Sequence, residues 1–170
     1  MFLKKNVKDI MIPIENYTLT SVKESLKEAI IGMRKVYCEV ETGKCTEAGH
    51  RTSLVMNEYG HLVGIIDFPT ILGTLIPDIT ERFTEKLAAS LHVGVKTDLE
   101  KRVLKNAEIK VGDIMLKIKG SLDVDDNLLE ALKVMHRNNV TVLPVYKGGK
   151  LVGVLRDSDL FLATASILTD

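Results

Sequence analysis

Near the end of the chain, Arg156, Asp157, Ser158 and Asp159 gather charged and hydroxyl groups onto one short stretch. They follow the apolar run Leu151-Val-Gly-Val-Leu155 and precede Leu160, which opens an apolar pattern of helical spacing. A β-prone run that passes into such a pattern puts the four residues at a helix N-terminus. Backbone N–H groups there lack intrahelical acceptors and, with the helix dipole, favour an anion. Asp159, on the first turn, can accept two hydroxyls of a ligand, and Arg156 can make a charge-assisted contact to an anion. Asp157 or Ser158 can cap the helix, and Ser158 can also touch the anion. The plainer readings are an acid that complements the dipole, worth under about 1 kcal/mol, for Asp159, and a solvated charge for Arg156.

The same phrase occurs earlier as Leu62-Val-Gly-Ile-Ile66 followed by Asp67-Phe-Pro-Thr70. There Asp67 stands where the later copy has Arg156, and Thr70 where it has Asp159. Asp67 would repel an anion, so the chemistry predicts at most one competent site per chain, in the later copy.

Cys38, Cys45 and His50 form the other set of potential ligands, with Glu39, Glu41 and Glu47 among them. A structural zinc site pairs cysteines two to four residues apart and needs a fourth ligand, whereas six residues separate these two. A reversible thiol pair is an equal alternative, and a plain solvated insertion is the simplest reading. His61 falls at a hairpin tip, while His92 and His136 have no nucleophile or carboxylate partner nearby in sequence. No nucleophile elbow, catalytic carboxylate pair or metal-binding histidine pair is present, so the expectation is a protein that is not an enzyme.

The totals agree with a binding module. Lys plus Arg equals Asp plus Glu at 23 each, so no overall field draws the chain to nucleic acid or an anionic membrane. At 45% hydrophobic and 27% charged, the 170 residues suit a folded globular protein, and aromatics at 5% leave an aliphatic core. No apolar run approaches the roughly 18 residues needed to cross a bilayer, and the first residues lack a signal-peptide pattern. The expectation is a cytoplasmic protein.

The elements that must hold the two junctions are themselves duplicated. Val7-Lys-Asp-Ile-Met11 is echoed by Val111-Gly-Asp-Ile-Met115. Leu26, Ala29, Ile30 and Met33 are echoed by Leu128, Ala131, Leu132 and Met135, both at amphipathic-helix spacing. Ser21 with Glu24 suggests a capping box for the first helix, and Asp125 or Asp126 a cap for the second. Met11, Met33, Met56, Met115 and Met135 fall on apolar faces as core filler. Two hairpins follow, turning at Gly60 and at Gly148-Gly149, where positive φ is required. Each repeat therefore reads as short strand, helix, strand, strand, helix, with a sheet too small to cover its own faces. The predicted bounds are 7–77 for the first repeat, with a cysteine-containing insertion at about 36–51, and 111–168 for the second. Between them, 78–110 reads as a helical linker, one long or broken helix and a short one, divided at Gly94.

Asp-Ile-Met, Glu-Ala-Leu-Lys-Val-Met, Leu-Pro-Val and Leu-Val-Gly-Val-Leu-x-x-x-Asp-Leu together resemble the cystathionine-β-synthase-type (CBS) domain, and two in tandem resemble a CBS pair, or Bateman module. The resemblance implies an α/β fold of two repeats packed with pseudo-twofold symmetry, and a homodimer. It also implies a regulatory module that binds AMP, ADP, ATP or S-adenosylmethionine, needs no cofactor, and changes packing to control an effector protein. By the same resemblance Asp159 would hold the ribose, Arg156 and Ser158 the phosphates, and Lys119, Gly120, Ser121, Val140, Leu143 and Pro144 the base. A weaker first-repeat site would use Tyr17, Thr18, Asp67 and Thr70. The family's usual Thr or Ser after the strand is replaced here by Arg156 and Asp67, which leaves a ligand-independent dimerisation scaffold as the alternative.

Overall fold

The computed structural model describes residues 5–37, 51–77 and 93–169. In chain order the elements are β1 (Ile12–Pro13), β2 (Leu19–Ser21), α1 (Leu26–Tyr37), β3 (Thr52–Met56), β4 (Leu62–Asp67), α2 (Phe68–Leu75), α3 (Val93–Asn106), α4 (Val111–Ile114), β5 (Leu122–Asp123), α5 (Leu128–Asn138), β6 (Val142–Lys147), β7 (Lys150–Arg156) and α6 (Asp157–Thr169). The expected order of strand, helix, strand, strand, helix is present twice, as β2-α1-β3-β4-α2 and β5-α5-β6-β7-α6. Even the irregularities repeat, since the hairpin register shifts at Val55/Met56 and again at Val145/Tyr146. The hairpin glycines Gly60, Gly148 and Gly149 all have positive φ.

The chain divides into two compact units that cut across the sequence repeats. A continuous unit spans Thr18–Leu116, and a split unit joins Met1–Tyr17 to Lys117–Asp170. Each repeat's Val-x-Asp-Ile-Met segment therefore lies with the other repeat's sheet. In the split unit, Val7 and Lys8 donate backbone N–H bonds to the carbonyls of Asp126 and Val124 (2.8 and 3.0 Å). β1 then pairs antiparallel with β7, giving the sheet order β1-β7-β6-β5. In the continuous unit, Val111 and Gly112 donate to the carbonyls of Glu24 and Val22 (2.9 and 3.1 Å), and Leu116 and Ile65 exchange two backbone hydrogen bonds. Its sheet runs β2-β3-β4.

This crossing explains the glycine inside each apolar strand. A Cβ on Gly153 would stand 2.7 Å from the Ile12 carbonyl oxygen and 2.9 Å from Met11 Sδ. One on Gly64 would meet Met115 Sδ at 2.7 Å and the Leu116 carbonyl oxygen at 2.9 Å. Only glycine lets the incoming backbone approach this closely.

Each unit has its own aliphatic core. Leu26, Ala29 and Met33 of α1 pack with Val55, Ile66, Ile71 and Val111. Leu128, Ala131 and Met135 of α5 pack with Val7, Leu143, Val145, Leu155, Leu160 and Ala163. Met11 and Met115 pack against these cores. Leu132, expected on the inner face, is half exposed, because the buried stripe of α5 narrows to positions three and four apart.

Three local expectations are corrected. The capping box of α1 is Ser25 with Glu28: the Ser25 hydroxyl accepts the Glu28 N–H, and Glu28 Oε2 accepts the Ser25 N–H at 2.7 Å. Ser21 and Glu24 instead close a turn before the helix. Asn127, not Asp125 or Asp126, caps α5 by accepting the Glu130 N–H, while Asp126 accepts from Asp123. In the linker, Gly94 falls inside the first turn of the 14-residue α3 rather than between two helices. Among the described residues, no helix is long and apolar enough to cross a membrane.

Candidate functional site

The β7–α6 junction of the split unit holds the cluster that the sequence singles out. β7 ends at Arg156, which becomes the N-cap position of α6, and Asp159 falls on the first turn. The Asp157 N–H is taken by the Thr141 carbonyl at 2.9 Å, which ties the helix start to the beginning of β6. Asp159 turns back onto the strand. Its Oδ2 accepts the Arg156 backbone N–H at 3.1 Å and Nε at 3.0 Å, and Oδ1 accepts Nη2 at 2.7 Å. The side chains of Arg156 and Asp159 are only 19% and 11% exposed, so this fork is shielded from water. The hydrogen bonds donated to Asp159 hold the guanidinium more firmly protonated than usual; burial opposes this, while Tyr17 and Asp157 add to it.

Tyr17, assigned from the sequence to a first-repeat site, thus lies in the split unit and close enough to Arg156 to bear on its charge. Asp157 and Ser158 are exposed, and Ser158 donates its N–H to Asp157 Oδ1. Lys119 and Ser121 are exposed on the segment before β5. Gly120 between them has φ +93°, and a Cβ there would come within 3.0 Å of Asn138 Nδ2 and Val134 Cγ1. That backbone is therefore pressed onto α5. Val140 packs beside the core, whereas the Leu143 side chain is wholly within it and Pro144 is fully buried. The expected base-holding residues reach the same unit as Asp159, but Leu143 and Pro144 spend their side chains on packing.

The equivalent β4–α2 junction in the continuous unit is built in the opposite sense. Asp67 is the N-cap and its Oδ1 accepts the Thr70 N–H at 2.9 Å. Phe68 donates its N–H to the Arg51 carbonyl at 3.3 Å, and the Arg51 guanidinium lies 5.8 Å from the Phe68 ring centre. Sequence reasoning missed Arg51, since nothing in its neighbourhood marks it. Thr18 is buried, with its carbonyl accepting the Leu54 N–H and the Ser53 hydroxyl. A groove of about 340 Å³ lies on this unit between α1 and α2, lined by Ile30, Met33, Arg34, Phe68, Ile71, Leu72 and Leu75. Its nearly all-apolar wall does not suit a sugar or a phosphate.

Among the described residues, no three His, Cys, Asp or Glu side chains converge to hold a metal ion. Cys38, Cys45 and His50 lie outside the described residues.

Residues 111–166 match the CBS domain family model. A solved CBS domain of a CBS-domain-containing membrane protein from Sphaerobacter thermophilus superposes with a TM-score of 0.68 at 18% identity, covering 95% of this chain and 89% of that one. CBSX2, a CBS-pair protein from Arabidopsis thaliana, superposes at 0.64 with 22% identity over 97% of both chains. The fold is that of a CBS-domain pair. A structure of CBSX2 in complex with AMP also superposes, with a TM-score of 0.60 and 21% identity over 96% of this chain and 98% of that one. No protein of curated function matches the chain in sequence. The family-model match covers both Arg156 and Asp159, but not the segment that supplies β1.

Proposed function

We propose that the protein is a regulatory module that binds an adenine nucleotide at the β7–α6 junction and passes its occupancy to an effector protein. The observation that carries this reading is Asp159, a shielded carboxylate on the first turn of α6, directly behind a β-strand of a CBS domain. Such a carboxylate can accept both hydroxyls of a ribose while the helix N-terminus faces its phosphate. The AMP complex of CBSX2, a protein of the same fold, supports the choice of ligand class. A ligand that binds one arrangement of the chain more tightly than another shifts the population toward it, which is all that signalling requires. Catalysis plays no part in this reading.

A second reading, a dimerisation scaffold indifferent to nucleotides, is favoured by two observations. Both oxygens of Asp159 are occupied by Arg156. In addition, α5 and α6 pack together yet leave Leu129, Leu132, Phe161, Leu162 and Leu168 exposed. Thermal unfolding with AMP, ADP, ATP, S-adenosylmethionine and GMP, each alone, separates the two. A ligand at about a hundred times its Kd adds roughly 2.7 kcal/mol, an upward Tm shift of several degrees. A shift with an adenine ligand that Asp159→Ala abolishes supports the sensor. No shift with any ligand, together with a dimer that persists on dilution, supports the scaffold.

A further inference from the structure

The fork between Arg156 and Asp159 gives binding at this junction a chemical condition. Every acceptor direction that Asp159 turns toward β7 is taken by Arg156, through its backbone N–H, Nε and Nη2. A carboxylate offers about four acceptor positions and Arg156 fills three, so a ligand that brings two hydroxyls must take at least one of them from the guanidinium. The displaced cation is largely shielded from water, and among the described residues the other groups that bear on its charge are Tyr17 and the exposed Asp157. A shielded cation stripped of its partner is costly unless an anion replaces it. A phosphate monoester is suited to the exchange, because two of its oxygens match the guanidinium fork.

We infer that Arg156 is a specificity residue that makes occupancy of Asp159 conditional on an anionic group in the same ligand, admitting a nucleoside phosphate and rejecting a neutral nucleoside or a sulfonium nucleoside. The inference rests on the reading of this junction as an adenosine-ligand site. In the exchange the diol takes over the carboxylate and the phosphate takes over the guanidinium, so no charge is left without a partner. Adenosine completes only the first half. S-adenosylmethionine brings a sulfonium where the phosphate should be, and its carboxylate lies a three-carbon chain farther out, beside an ammonium.

The test is direct binding of AMP, adenosine and S-adenosylmethionine, by calorimetry, to the full chain and to its Arg156→Thr and Arg156→Lys variants. The wild type is expected to bind AMP about ten- to a hundred-fold more tightly than adenosine, the worth of charge-assisted hydrogen bonds. In Arg156→Thr, adenosine binding should strengthen, because Asp159 is released, and the AMP preference should shrink to a few-fold. A gain of affinity cannot come from a damaged fold. Arg156→Lys, which keeps the charge without the fork, should fall between the two. Equal wild-type affinity for AMP and adenosine overturns the inference, as does an Arg156→Thr variant with unchanged preference; either result leaves the nucleotide site itself standing. If none of the three compounds binds any of the chains, the site reading fails and the inference with it.

Discussion

The two strand-to-helix junctions solve one problem from opposite ends. At β4–α2 the N-cap side chain, Asp67, reaches forward to the N–H of Thr70. At β7–α6 the third helical residue, Asp159, reaches back to the N–H of Arg156, and the N-cap carries the positive charge. Each is half of a capping box, and together the repeats display both halves. The difference teaches why only one junction suits an anionic ligand. The first spends its carboxylate on its own helix and keeps a negative charge at the mouth, whereas the second holds an acid and a base that a ligand can part. The units differ inside as well. Buried Thr20 and Ser53 share a 2.6 Å hydroxyl hydrogen bond, where the matching positions of the split unit carry Leu122 and Leu143.

The sharpest way to break the likeness is at the strand glycines. Gly153→Ala brings a Cβ to 2.7 Å from the Ile12 carbonyl oxygen, whereas Gly64→Ala meets the Met115 thioether at 2.7 Å and the Leu116 carbonyl oxygen less closely, at 2.9 Å. Urea unfolding should show Gly153→Ala losing about 3 kcal/mol and Gly64→Ala nearer 1–2 kcal/mol. Next, Asp159→Ala leaves a shielded guanidinium unpaired and should cost about 2–3 kcal/mol, less than a fully buried pair because some water contact remains. Asp67→Ala loses a single cap and should cost about 1 kcal/mol. Equal losses would mean that the two junctions are equivalent after all.

The hydroxyl pair sharpens the comparison of cores. Ser53→Ala strands the Thr20 hydroxyl and should cost about 2 kcal/mol, while Thr20→Val combined with Ser53→Ala should recover most of the loss. The smallest effect is at the helix caps. Hydrogen bonds from the Ser25 backbone and hydroxyl hold the Glu28 carboxyl below its ordinary value. Its contribution is therefore fully present above the ordinary carboxylate range and is lost as pH falls through the lowered folded value. The gap in Tm between wild type and Glu28→Gln should shrink over that acid interval. The matching cap of α5 uses Asn127, which does not titrate, so Asn127→Ala should give a gap that stays level with pH.

Much of this was legible in the chain because duplication makes weak signals reinforce one another. Val-Gly-apolar-apolar strands, paired hairpin glycines and a three-and-four apolar spacing mean little singly, yet in the same order twice they specify the elements. The reassignment of Val7–Pro13 to the second repeat's sheet was not legible, because sequence adjacency says nothing about which of two similar edges a segment joins. Cap positions slipped by a few residues where several capping residues compete, as with Ser21 against Ser25. Arg156 and Asp159 were found from type and spacing, but their bond to each other was not, since residues three apart at a helix start can face one another or a ligand equally well.

The split of one unit around the other also bears on the order in which the chain can fold. The continuous unit can close once the chain has reached Leu116, whereas the ion pair of Lys8 with Asp125 joins residues 117 positions apart and β1 must wait for β7. During synthesis, β1 emerges long before β7 exists to receive it, and closing so long a loop draws heavily on chain entropy. The split unit should therefore complete last, since its second half is made only after the continuous unit. A site at β7–α6 would then form only after the rest of the protein is in place, and its ligand would act on the last part of the molecule to fold.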